Sequence, residues 1–220
     1  AALRRRTLGP PTECADVPDN AYGDGMTADE AVRVLGEIKD RPFFLGVGFL
    51  KPHLPFIAPK RYWDLYERDK IDLADNPFAP KDAPLVALST WGELRAYEGM
   101  PKEGPVTEEQ ARTLVHGYLA CVSYTDAQIG RVLDELQRLG LADNTVVVLW
   151  GDHGWKLGEH GMWCKHTNFE LDAHAPMICA APGQKAPGRK SPALTEFVDI
   201  YPSLCAACGL AKPDHLEGTS

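Results

Sequence analysis

The sequence predicts an α/β fold, a mostly parallel central sheet flanked by helices, and three observations carry that expectation. Apolar, β-branched runs of strand length occur at residues 43–49, 145–150 and 176–180. Between the first two lies a stretch with apolar residues at three- and four-residue steps, the period of a long amphipathic helix. The resulting order of strand, helix, strand, loop, strand, helix is that of chains whose helices pack on a largely parallel sheet.

Residues 1–25 are rich in Gly, Pro, Asp and Asn without an apolar period and read as an irregular lead-in. Thr27-Ala-Asp-Glu30 is a capping box, and Ala31, Val34, Leu35 and Ile38 follow at helical spacing, so a helix is expected to end near Asp40. The strand at 43–49 runs into Leu50-Lys-Pro-His-Leu-Pro-Phe56, where Pro52 and Pro55 cannot donate to a ladder and force an extended loop. Residues 57–105 mix prolines and glycines with aromatic and charged residues and read as a long excursion with one short helix near Arg61 to Glu67. Its Trp63, Trp91 and Tyr97 are candidate sugar-stacking surfaces, although aromatic residues in a long loop more often form its private core. Thr107-Glu-Glu-Gln110 is a second capping box; it opens the long helix through Leu114, Tyr118, Cys121, Ile129, Val132, Leu136 and Leu139, which Gly140 ends.

Composition narrows the function classes. Of 220 residues, 44% are hydrophobic and 25% charged, as in ordinary globular chains with a sizeable core. The 23 basic and 31 acidic residues give a net charge of −8, and the only basic cluster is Arg4-Arg5-Arg6, which argues against nucleic acid as a partner. The longest apolar runs fall short of the roughly 18 residues that a membrane span needs. Six cysteines are too few and too scattered for a disulfide scaffold, and the Cys205-Ala-Ala-Cys208 pair reads as two buried thiols one helical turn apart.

The chemistry collects where two strands end. In open α/β sheets, ligands gather at the carboxyl ends of strands. The first such end delivers Lys51 and His53, and the second delivers Asp152, His153, His160, Lys165 and His166. Asp152 and His153 pair a hard carboxylate with an imidazole, a combination able to hold a divalent metal, and Lys165 offers a cation for an anionic group. Taken singly, each has an ordinary alternative. Asp152 could cap a turn, His53 could be an exposed loop histidine, and Lys51 and Lys156 could be solvated. His160, His166 and His174 read as packing or hydrogen-bonding residues, and Asp126 as a helix-to-loop contact.

Taken together, "WGDHGWKLGEHGMWCKHTNFE", "GFLKPHLPF", "FVDIYPSLCAACGL" and the lead-in "DVPDNAYGDGMTADEAV" closely resemble the sulfatase family of the alkaline-phosphatase superfamily, most of all its iduronate-2-sulfatase branch. The resemblance runs from about Cys14 to Ser220 and makes 26–220 part of a catalytic domain with an alkaline-phosphatase-like fold, present incompletely. It implies that Asp152 and His153 are ligands of a divalent cation, calcium in most such enzymes. It also implies that Lys165 contacts the sulfate and its bridging oxygen, and that His53 lies on the leaving-group side as a proton donor. The implied substrate is a sulfated sugar or other organic sulfate, and the implied compartment is periplasmic, secreted or lysosome-like.

One departure matters. The family's nucleophile is a formylglycine made from the first residue of Cys/Ser-x-Pro-x-Arg, and no cysteine or serine of this sequence stands in that motif. The paired aspartates that complete the family's metal site near the N-terminus are absent too. The resemblance therefore places Ala1 downstream of the nucleophile and Ser220 where a smaller C-terminal subdomain begins, so a missing N-terminal segment of the same protein is an expected partner and these residues alone are expected to be inactive. Two other readings stand beside this one: a phosphodiesterase or phosphonate monoester hydrolase of the same superfamily, and a non-catalytic domain that binds sulfated glycans.

Overall fold

A computed structural model describes residues 8–220; the Arg4-Arg5-Arg6 cluster lies outside the described residues. The chain divides into two compact units, one ending at Glu135 and resuming over Asp152–Ala175, the other comprising Leu136–Gly151 and Pro176–Ser220. Among the described residues, no helix is long and apolar enough to cross a membrane.

The first unit is built on a parallel pair, β1 (Thr12–Ala15) and β2 (Phe56–Pro59), in register from Thr12 opposite Phe56 to Ala15 opposite Pro59. β1 falls inside the stretch expected to be irregular. Thr-Glu-Cys-Ala carries no apolar period, and its pairing partner lies 44 positions away, so no local pattern announces it. Helix α1 (Gly23–Ile38) starts four residues before the capping box at Thr27. Its early start has a tertiary cause: the Tyr124 hydroxyl accepts from the Gly25 amide at 2.6 Å and donates to the Asp19 carbonyl at 2.9 Å, which satisfies the first turn from another helix.

Residues 43–49 are not a strand. Exposure alternates along them, the two-residue period of extended chain, but no strand among the described residues pairs with them. The excursion after β2 is also more ordered than expected. Short helices α2 (Lys60–Trp63) and α3 (Gly92–Arg95) carry Trp63, Trp91 and Tyr97 into the core at 7%, 4% and 7% exposure, so these aromatics are interior residues and not sugar-stacking faces. Burial of each such ring contributes roughly 1.5–3 kcal/mol. Helix α4 (Glu108–Arg138) closes over this core. The expected capping box at its start forms in both directions, Gln110 Oε1 accepting from the Thr107 amide at 2.9 Å and Thr107 Oγ1 from the Gln110 amide at 3.2 Å. At Gly117 a Cβ would come within 2.9 Å of both Phe56 and Trp63, so the helix needs a residue without a side chain to seat against β2 and α2.

In the second unit, β3 (Val147–Trp150) pairs with β6 (Met177–Ala180), and the pairing is antiparallel, not parallel as the element order suggested. The chain leaves β3 and re-enters β6 at the same end, where the Gly151 amide donates to the Pro176 carbonyl at 3.0 Å. That return reverses the strand direction. Gly140, at φ 71°, ends α4 as expected, with its amide on the Gln137 carbonyl and that of Leu141 on Leu136. Of the Cys205–Cys208 pair on or beside α5 (Ile200–Ala207), Cys205 is buried and Cys208 exposed, which corrects the expectation of two buried thiols.

Candidate active site

The Lys51-Pro-His-Leu-Pro55 loop is tied down by its own first residue. The Lys51 amide and that of Leu50 both donate to the Asp24 carboxylate at 2.9 Å, and the Lys51 ammonium turns inward to the carbonyls of His53 (3.1 Å) and Pro55 (2.7 Å). Lys51 is therefore buried, contrary to the solvated alternative, and burial holds its pKa below the ordinary lysine value. The ammonium's grip on the His53 carbonyl fixes the backbone that presents the imidazole. His53 Nδ1 donates to the Leu54 carbonyl at 2.7 Å, which leaves Nε2 facing outward.

The second source is an antiparallel hairpin, β4 (Lys156–Leu157) and β5 (Trp163–Cys164). Asp152 and His153 immediately precede it, and Lys165 immediately follows. Gly154 is the joint: its amide donates to the Asp172 carbonyl at 2.7 Å, and a Cβ there would sit 1.9 Å from the Leu171 carbonyl oxygen. Lys156 is 1% exposed, again contrary to the solvated alternative, with its ammonium 2.5 Å from Asp172 Oδ2 and 2.7 Å from Thr167 Oγ1. Lys165 itself is bracketed by two non-glycine residues with left-handed backbone, Cys164 at φ 67° and His166 at φ 86°. Such conformations cost about 1–3 kcal/mol each and concentrate at functional sites.

These two sources meet. Lys165 Nζ lies 2.7 Å from His53 Nε2, although the residues are 112 positions apart. The Trp155 ring forms the floor, with Lys165 Nζ 4.6 Å above its centroid, the His53 ring 5.4 Å away edge-on, and the His153 ring stacked at 6.0 Å. So His53, Lys165 and His153 share one indole. Asp152 is the outlier: its side chain is 86% exposed, and its recorded contact is His153, Nε2 to Oδ2 at 3.6 Å. Because His153 Nδ1 donates to the Gly154 carbonyl at 2.8 Å, Nε2 is free as a metal donor on the side of Asp152.

Those two donor atoms suit one edge of a divalent coordination shell, since ligands about 2.0–2.6 Å from an ion sit roughly 3–3.6 Å from one another. They do not complete it. Among the described residues, no group of three or more His, Cys, Asp or Glu could hold a metal. His160 and His174 behave as expected of packing or hydrogen-bonding residues, His160 stacking on Phe169 at 4.7 Å and His174 pairing with Glu170 at 2.9 Å, whereas His166, expected to do the same, is exposed. Asp126 is exposed on α4.

Two residues of the cluster were not anticipated. Trp155 lies two positions after His153, and its buried indole nitrogen has no hydrogen-bond partner among the described residues. Glu93, from α3, reaches Lys165 Nζ at 2.8–2.9 Å and His53 Nε2 at 2.9 Å. Trp155 adjoins a recognisable motif and could have been flagged by position; Glu93 sits in the middle of the excursion, where no spacing connects it to Lys165.

Comparison with known proteins identifies the family. The sulfatase family model matches residues 7–210. Iduronate 2-sulfatase of Mus musculus is 36% identical over 92% of this chain, and that of Homo sapiens 35% identical over the same share. The chain spans 43% of the length of each. Among solved structures, the phosphonate monoester hydrolase of Agrobacterium radiobacter superposes with a TM-score of 0.78 at 25% identity, over all of this chain and 46% of that one. The α/β architecture is therefore that of the alkaline-phosphatase superfamily, represented in part. By family match, by relatives and by fold, this chain belongs to the sulfatase family.

Proposed function

We propose that the protein hydrolyses sulfuric esters, on a sulfated sugar or another organic sulfate, and that these residues supply the side of the active site that receives the sulfate and the leaving group. The observation that carries the reading is the contact of Lys165 with His53 over the Trp155 ring. Sulfuryl transfer gathers negative charge on the sulfate oxygens and on the departing oxygen, and fixed cations aimed at those positions stabilise the transition state. Lys165, 13% exposed and held by Glu93 and His53, is suited to a sulfate oxygen and the bridging oxygen. His53, with Nδ1 committed to Leu54, has Nε2 as its working atom and can hold a proton for the leaving alkoxide.

Asp152 and His153 would hold part of a divalent cation, calcium in this proposal, which when bound supplies positive charge to the sulfate oxygens. The formylglycine of the family does not fit any residue of this chain, since no cysteine or serine occupies its motif. We propose that it and the remaining metal ligands come from a segment outside these 220 residues, and that residues 1–220 alone release no sulfate. The similarity to iduronate 2-sulfatases supports a sulfated sugar as substrate class.

The test is turnover by the full-length protein of an aryl sulfate, a sulfated monosaccharide and a phosphate diester, with and without chelation. Sulfate release that chelation abolishes and calcium restores supports the proposal. A preference for the diester selects the second reading, a phosphonate or phosphate diester hydrolase, which the match to the Agrobacterium radiobacter enzyme favours. Glycan binding without turnover would select a non-catalytic role.

A further inference from the structure

Glu93 is an acid inside a site built for an anion, and its contacts explain why it is there. His53 Nδ1 is committed to the Leu54 carbonyl, so the chemistry of this ring passes through Nε2. That atom lies 2.7 Å from Lys165 Nζ and 2.9 Å from Glu93 Oε1. The two contacts need different proton arrangements. Without a proton, Nε2 accepts from the lysine and its lone pair opposes that of the carboxylate; with a proton, Nε2 donates to Oε1 and cannot also accept from the ammonium. A carboxylate between them serves both states, because it can accept a hydrogen bond from either partner.

The second oxygen fits that role. Glu93 Oε2 is sealed from solvent and stands 2.8 Å from Lys165 Nζ, yet that approach lacks hydrogen-bond geometry and Oε2 has no other partner among the described residues. It is an acceptor in reserve for the ammonium when Oε1 serves the imidazole. The short helix that carries Glu93 is firmly held. The Arg95 guanidinium lies 3.3 Å from the Trp91 ring centroid, and its two terminal nitrogens donate to the carbonyls of Pro101 and Gly104 at 2.8 Å each. Trp91, next to the helix start, is buried in left-handed backbone at φ 42°, strain of the kind that surrounding structure over-determines at functional sites.

Resting on the sulfuryl-transfer reading above, we propose that Glu93 is a positioning residue: it holds Lys165 and His53 side by side, accepting a hydrogen bond from the lysine and, when Nε2 is protonated, from the imidazole as well. It touches neither sulfate nor leaving group; it acts through the two residues that do. A neutral amide in its place keeps the shape but presents a donor to one partner.

In the full-length protein, Glu93→Gln is expected to lower kcat by roughly 10- to 100-fold with KM changed by less than about threefold, as losses of supporting hydrogen bonds do at other sites. Glu93→Asp, which keeps the carboxylate, should recover part of the rate, and the 15N resonances of the His53 imidazole should move in Glu93→Gln but not in an unrelated surface variant. Turnover of Glu93→Gln within about twofold of the parent, with Lys165→Ala crippled, overturns the positioning role and leaves the sulfatase reading standing. If Lys165→Ala is also fully active, that reading itself fails, and unchanged His53 resonances in Glu93→Gln then overturn the positioning role independently. A rate lost equally in the glutamine and aspartate variants, with unmoved resonances, assigns Glu93 to fold alone.

Discussion

Three lysines within the first unit are each drawn inward, and each is satisfied differently. Lys51 gives its ammonium to two backbone carbonyls. Lys156 is sealed against Asp172 and Thr167, at side-chain exposures of 1% and 2% for the ion pair. Lys165, nine residues further along the same hairpin, meets Glu93 and His53 and remains 13% exposed. The first two are closed arrangements in which the ammonium meets two fixed acceptors, and they shape loops. The third is open on one side and has competing acceptors, which under the proposed function leaves a cation for an incoming anion. The difference lies in the partners and not in the residue type.

The largest consequence concerns Lys156. Lys156→Met or Asp172→Leu alone strands a buried charge and should cost about 3–5 kcal/mol in denaturant unfolding, whereas the double replacement should recover most of it, because a buried ion pair is often no better than an apolar one. A double variant as unstable as the singles would mean that the pair contributes more than mutual neutralisation. Lys165→Met should behave in the opposite way. Its unfolding free energy should fall by less than that of Lys156→Met, because the Lys165–Glu93 pair is less completely buried, while turnover of the full-length protein falls by roughly 100- to 1,000-fold, the loss typical of a donor aimed at developing charge. Near-normal turnover would make the two lysines equivalent and dissolve the contrast.

Smaller effects refine the picture. Lys51 has its pKa lowered by burial, so between its folded pKa and the ordinary 10.5 the unfolded chain binds more protons than the folded one. Stability should therefore rise with pH through that window, and Lys51→Met should flatten the rise; a slope unaffected by the substitution would assign it to other groups. Smallest of all, His166→Gly relieves left-handed strain beside Lys165. The gain should be at most about 1 kcal/mol, offset in part by the greater freedom of glycine in the unfolded chain, and visible as a slight rise in Tm.

What could be read from the sequence followed from how local its cause was. The long helix and its cap were readable because Thr107, Gln110 and the apolar stripe lie within one continuous pattern. His53 and Lys165 could be named because each sits in a distinctive motif, although nothing in either motif says that they touch. Glu93 could not be named, because its role exists only after α3 has been packed against the hairpin. The same reason hid β1, whose partner is distant, and set the start of α1, which depends on Tyr124 of α4. The strand expected at 43–49 shows the converse: the right period is present, but strand structure needs a neighbour to bond with.

The paired left-handed residues around Lys165 have one more implication. In ordinary extended chain, positions 164 and 166 would face the same way, yet Cys164 is buried and His166 is exposed. The backbone is left-handed on both sides of the lysine, so its neighbours no longer obey alternation. Sequence variation at this spot should thus be confined to residues that tolerate positive φ, such as Gly, Asn, Asp or His, and a β-branched residue at either flank would redirect the lysine without altering its identity.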